Sequence, residues 1–164
     1  MEQRSTPTDP QAALTQSLRV VQILWLVELA LVAAVWVLLP LLISGPRAAN
    51  GTGRIAALIF YGVGLADIVV GLGLKERAFA SARAAANRSA QEALGRIVGP
   101  SLAGVTMALT PAILGIVLYF VFGNRAGLGV LCVLSLIGLV LHRPRLDRWQ
   151  EILAGASGRA HRPA

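Results

Sequence analysis

A single cysteine, two histidines and eight acidic residues are a sparse supply of reactive side chains for 164 positions. One cysteine excludes an intrachain disulfide, and Cys132 has no neighbour at metal-binding spacing. His142 and His161 stand without carboxylate or cysteine partners in sequence, and no Ser-His-Asp set or metal-binding helix motif occurs. Neither an enzymatic activity nor a cofactor or metal is expected. Aromatic residues make up only 5% and do not alternate with basic ones, so the net charge of +7 does not read as a nucleic-acid surface. Charged residues amount to 14%, where a soluble domain carries about 25%.

What fills the chain instead is apolar: 55% of residues, with a mean hydropathy of +0.68. These residues fall in blocks at 20–43, 55–74, 97–122 and 128–141. A helix needs about 20 apolar residues to cross the hydrocarbon core, and the first three blocks meet that length. The fourth has only 14 residues, a length that also suits a re-entrant or interfacial segment; extended to 126–142 it reaches 17, with Arg125 and Arg143 snorkelling at its two ends. Charge supports four spans. Twelve Lys and Arg fall before the first span, between the second and third, and after the fourth, against three in the opposite loops. That asymmetry places both termini and the middle connection in the cytoplasm. The first apolar run, 24 residues long, exceeds the ~7–15 of a signal-peptide core and is expected to remain as an anchor. The expected fold class is therefore all-α: a four-span transmembrane bundle of two helical hairpins in a bacterial inner membrane. Its expected partners are the lipid bilayer and either a second copy or another membrane component, with no nucleic acid.

Local signals refine the plan. Asp9-Pro10 offers an N-cap followed by proline at the first helical position. Ser44-Gly45-Pro46 and Asn50-Gly51-Thr52-Gly53 mark an outer loop, and the run from Gly123 to Gly127 marks a tight outer turn. Eight alanines lie between Ala78 and Ala93, interrupted at Asn87-Arg88, and Ser89 to Glu92 fits a capping box. The second span is thus predicted to continue to about Ala86 and a new helix to start at Ser89. Together they make a cytoplasmic helical extension with solvated arginines. Leu146, Trp149, Ile152 and Leu153 share one helical face, which suggests a short helix lying in the membrane surface with Trp149 at headgroup level. The tails at 1–9 and 155–164 are expected to be disordered.

Two acids break the apolar pattern. An ionised side chain at bilayer depth costs at least ~2.5–3.5 kcal/mol, so Glu28 in the first span and Asp67 in the second are the leading functional candidates. Both fall just cytoplasmic of the span centre, and Thr106 in the third span lies at a similar level. If the acids meet, they cannot comfortably both ionise and would share a proton, which suits proton or cation binding. The plainer alternative is a protonated acid bridging two helices by a hydrogen bond, worth about 1–2 kcal/mol. Phe60, Gly64, Asp67, Gly71 and Leu74 share a face, and Gly62 with Ala66 makes a small-residue pair beside it, so Asp67 is expected at a packed interface. Pro111 removes the bond to the Met107 carbonyl and predicts a kink near Thr106.

The stretch from Ala108 through Thr110-Pro111-Ala112-Ile113-Leu114-Gly115 to Phe120 resembles the ion-carrying helix of the ATP synthase proteolipid (subunit c) family. The preceding span, with Gly62, Gly64, Gly71 and Gly73, resembles that family's glycine-rich partner helix. The resemblance implies an ion-carrying helical hairpin, but alignment on Gly115 puts Leu109 where the family holds its carboxylate. Two functional classes follow: a non-enzymatic structural or partner-binding membrane component, or a small proton- or cation-handling protein using Asp67, Glu28 and Thr106.

Overall fold

The computed structural model describes residues 10–42, 51–86 and 89–157, which form five helices and no strand. They are α1 (Pro10–Leu42), α2 (Gly51–Ala86), α3 (Ala90–Phe122), α4 (Arg125–Leu141) and α5 (Leu146–Ser157). Four stretches are long and apolar enough to cross a membrane, one in each of α1, α2 and α3 and a fourth, Arg125–Ile152, that runs from α4 into α5.

Their ends follow the local chemistry. α1 opens at Pro10, where the missing N–H has no intrahelical use. The Ser89 hydroxyl accepts the Glu92 N–H at 3.1 Å and caps α3, one half of the anticipated capping box. Gly123 ends α3 at φ 65°, a left-handed conformation that a Cβ would oppose, and its N–H reaches the Tyr119 carbonyl at 2.9 Å. One residue later, Asn124 accepts the Gly127 N–H at 2.8 Å and starts α4, so two residues complete the turn. Gly51, Thr52 and Gly53, read from sequence as loop, form the first turn of α2 instead. The first turn of a helix lacks intrahelical acceptors for its N–H groups in any case, so turn-forming residues cost little there. The remaining outer-loop signals, Asp9 and segment 1–9 lie outside the described residues. α5 runs to Ser157, three residues into the tail expected to be disordered, and the rest of that tail lies outside them too.

The helices alternate in direction. On α2 and α3, Gly64 faces Pro111 and Gly71 faces Gly104; on α3 and α4, Gly115 faces Leu131 and Ala108 faces Gly138. α1 runs antiparallel to α4, with Trp25 bonded to the Leu139 carbonyl and Trp36 beside Gly129. α1 packs on both α3 and α4, as does α2, yet α1 and α2 share no extended face. They therefore lie on opposite sides of the α3–α4 pair, which forms the centre of the bundle. α1 meets that pair along a seam of Leu14, Leu18, Val21, Trp25, Glu28, Val32, Val35 and Leu39. The spacing alternates four and three, the coiled-coil pattern that keeps one stripe facing its partners.

One expectation changes. Trp149 is 1% exposed and belongs, with Ile152, to the main core that includes Ala82, Ala85 and Ala93. α5 packs on α2 and α3 rather than lying free in a membrane surface. The alanines act as more than helix formers: their short side chains leave a close surface against which an indole can pack. Arg148 adds an ion pair to Glu76 at 2.8 Å and stands 5.9 Å above the Phe79 ring.

Candidate functional site

The site is built on the α1 seam. Trp25 donates its indole N–H to the Leu139 carbonyl at 2.7 Å, which fixes α1 against α4. Glu28 stands one turn further along the same face and is 6% exposed. Val21 and Val32, on the same stripe, are fully buried. The Glu28 Oε2 atom is buried and has no hydrogen-bond partner. Buried polar atoms are almost always partnered, so an orphaned carboxyl oxygen marks a place where something other than packing shaped the sequence.

The structure brings the three sequence candidates to one level but not to one place. The pairings of Trp25 with Leu139 and of Gly138 with Ile68 and Ala108 put Glu28, Asp67 and Thr106 at comparable heights. Yet Glu28 is on α1 and Asp67 on α2, with α3 and α4 between them. Asp67 is half-buried beside the fully packed Ile68, and no hydrogen bond or ion pair among the described residues joins it to Glu28. Thr106 is exposed, and its hydroxyl donates to the Leu102 carbonyl at 3.1 Å, within its own helix. Depth was legible from hydropathy; neighbourhood was not, because sequence order pairs α1 with α2 whereas packing pairs each of them with α3 and α4.

The expected partners of Asp67 divide in the same way. Gly64 and Gly71 are buried at the interface, where a Cβ on Gly64 would stand 3.1 Å from the Pro111 ring. Leu74, Gly62 and Ala66 face outward, and a Cβ on Gly62 would meet nothing within 4 Å. Pro111 is fully buried against this glycine notch, inside a helix that continues from Ala90 to Phe122. Leu109, at the position aligned with the subunit c carboxylate, packs at the edge of the main core.

His142, which the sequence offers no partner, stands at the end of α4. Its ring is 3% exposed and sits against glycines from three helices. Nδ1 lies 2.8 Å from the Gly138 carbonyl, a Cβ on Gly71 would be 2.8 Å from Nε2, and one on Gly104 would be 2.6 Å from Cδ2. Nε2 has no partner in good hydrogen-bond geometry, yet it lies beside the Gly71 backbone. A carbonyl can only accept, so the ring nitrogen that bonds Gly138 or Gly71 must be the one carrying the proton. The signal available in the sequence was the pair Gly71 and Gly104, whose alignment with the end of α4 only the helix register reveals. One turn above, Ser135 donates to the Ala108 carbonyl across α3 and α4. Trp25 and Ser135 thus each join two helices through a single hydrogen bond to a backbone carbonyl. No cluster of three or more His, Cys, Asp or Glu among the described residues is placed to hold a metal ion.

Compared with known proteins, the chain matches no family model, no curated protein and no solved structure.

Proposed function

We propose that this chain is a non-enzymatic, multi-pass protein of a bacterial inner membrane that serves as a structural or partner-binding component, with both termini and the α2–α3 connection in the cytoplasm. The observation that carries this reading is the inverted distribution of polarity. Leu41, Leu42 and Leu58 are 68%, 78% and 70% exposed, while Glu28, Ser135 and His142 are buried. Water does not tolerate apolar faces of that extent, and hydrocarbon does not tolerate exposed carboxylates. Basic residues support the orientation, since twelve of the fifteen lie on one side of the four apolar stretches. Alkaline extraction and fusion reporters test it. The chain should remain in carbonate-washed membranes, and alkaline phosphatase should be inactive at the C-terminus and active when inserted at Asn124. Release into the supernatant, or the opposite phosphatase pattern, overturns it.

A second reading, proton or cation handling by Glu28 and Asp67, is favoured by one observation: the orphaned Glu28 oxygen inside the seam. It predicts that Glu28→Gln or Asp67→Asn abolishes a pH-gradient-driven flux in liposomes reconstituted with the parent chain. Equal flux through parent, variants and empty liposomes removes it.

A further inference from the structure

We propose that the cleft between α2 and α4 at the α5 end is a binding site for one anionic phospholipid, whose phosphate sits on Lys75 and Arg145 and whose acyl chain follows Leu72 and Leu141. The inference rests on the membrane reading above. The cleft measures about 150 Å³ and is lined by three basic residues, Lys75, Arg145 and Arg148, against one acid, Glu76. Arg148 is engaged by Glu76 at 2.8 Å, which accounts for the one carboxylate. Neither Lys75 nor Arg145 forms an ion pair among the described residues. The Lys75 ammonium reaches the Leu141 and Arg143 carbonyls, at 3.4 and 3.5 Å, and feels the Arg148 and Arg145 guanidinium groups as like charges, with Glu76 alone acting against them. Three cations against one carboxylate leave the cleft net positive and complementary to an anion.

The walls say what kind of anion. Leu72 lies one turn deeper than Lys75 on α2, and Leu141 is the last residue of α4. Leu141 and the adjoining Val140 are 50% and 62% exposed, continuous with the outward apolar face. Arg143 and Arg145 follow immediately, where the apolar stretch gives way to charge. A phosphate here carries its apolar tail along an apolar wall, and basic pockets between helices at the cytoplasmic interface suit acidic headgroups. A second groove shares Arg145 and is lined by Arg143, Gln22 and Asp147, which extends the basic surface around the end of α4. Free phosphate matches the cations but makes no use of the wall.

The experiment uses the full chain in dodecyl maltoside, titrated with dioleoyl-phosphatidylglycerol, dioleoyl-phosphatidylcholine or inorganic phosphate, with thermal unfolding as the readout. Phosphatidylglycerol should raise the midpoint saturably, and the other two should not at equal concentration. Arg145→Gln, an exposed residue whose loss leaves the fold intact, should weaken the apparent affinity about fivefold, the equivalent of about 1 kcal/mol per basic residue near an acidic surface. Lys75→Gln with Arg145→Gln should weaken it about thirtyfold. Arg83→Gln, an equal charge loss on exposed helix away from the cleft, should change nothing. An equal response to phosphatidylcholine, a response reproduced by inorganic phosphate, no saturable response, or an equal loss in Arg83→Gln each overturns the site. A chain that stays in carbonate-washed membranes yet gives one of these results removes the lipid site and leaves the membrane reading standing. Release by carbonate removes both.

Discussion

Replacing Glu28 by leucine should make this protein more stable, which is the reverse of the usual consequence of changing a buried residue. Glu28 occupies one position of a four-three seam whose neighbours on the stripe, Val21 and Val32, are fully buried. Its Oε2 atom pairs with nothing. Leaving a buried acceptor unpaired costs about 1–3 kcal/mol, and removing the group recovers that amount. Against it stands the shape of the leucine side chain, whose branch must fit between α3 and α4; such swaps cost below about 1.5 kcal/mol when volume is conserved. The expected net gain is about 1–2 kcal/mol, which multiplies the folded-to-unfolded ratio about five- to thirtyfold. Glu28→Gln keeps a polar head of the same shape and should stay within about 1 kcal/mol of the parent. The assay is reversible unfolding in mixed dodecyl maltoside and dodecyl sulfate micelles, followed by tryptophan fluorescence, since Trp25 lies one turn from the change. A Glu28→Leu variant less stable than the parent by more than about 1 kcal/mol would refute the reasoning, because the carboxyl group would then have a favourable partner in the folded state. A stabilised variant that also loses flux or a partner would show that the acid is retained at a cost in stability, as functional groups often are.

Three further outcomes follow from other contacts. Gly104→Ala introduces a Cβ 2.6 Å from the His142 ring and should cost about 1–3 kcal/mol; combining it with His142→Ala should cost less than the sum of the two, a non-additivity readable in the same unfolding assay. Trp25→Phe removes the bond to the Leu139 carbonyl and should destabilise by about 1 kcal/mol, and an unchanged midpoint would show that the indole N–H is equally well served elsewhere. Trp149→Ala empties a fully buried site and should cost about 3–5 kcal/mol of local stability, releasing α5 so that trypsin cleaves at Arg148 much earlier than in the parent.

Features that depend on neighbours along the chain could be read directly. The start of α3 was visible in Ser89, because capping is settled within four residues, while Asn87-Arg88 lie outside the described residues. The turn at Gly123 and Asn124 was visible for the same reason, as were the heights of Glu28 and Asp67, which follow from counting along apolar runs. His142 was not legible. Its burial comes from Gly71 and Gly104 on two other helices, which leave room for the ring that no neighbour along the chain signals. Trp149 was misplaced because an amphipathic helix with an aromatic face suits a membrane surface and a protein groove equally well; the alanine surface that receives it lies about sixty residues earlier in the chain.

The sequence by itself determined the helical class, the four apolar stretches, the asymmetry of charge and the presence of two acids among apolar residues, since each follows from composition and local periodicity. Tertiary structure alone decided which helices touch. By setting α1 and α2 on opposite sides of the α3–α4 pair, it left the two acids at one height on different faces of the bundle. By bringing the end of α4 against α2, it turned two separate basic residues, Lys75 and Arg145, into the walls of one cleft. The physical reason is that hydropathy acts along the chain, whereas adjacency is fixed by which small and large side chains interlock across it.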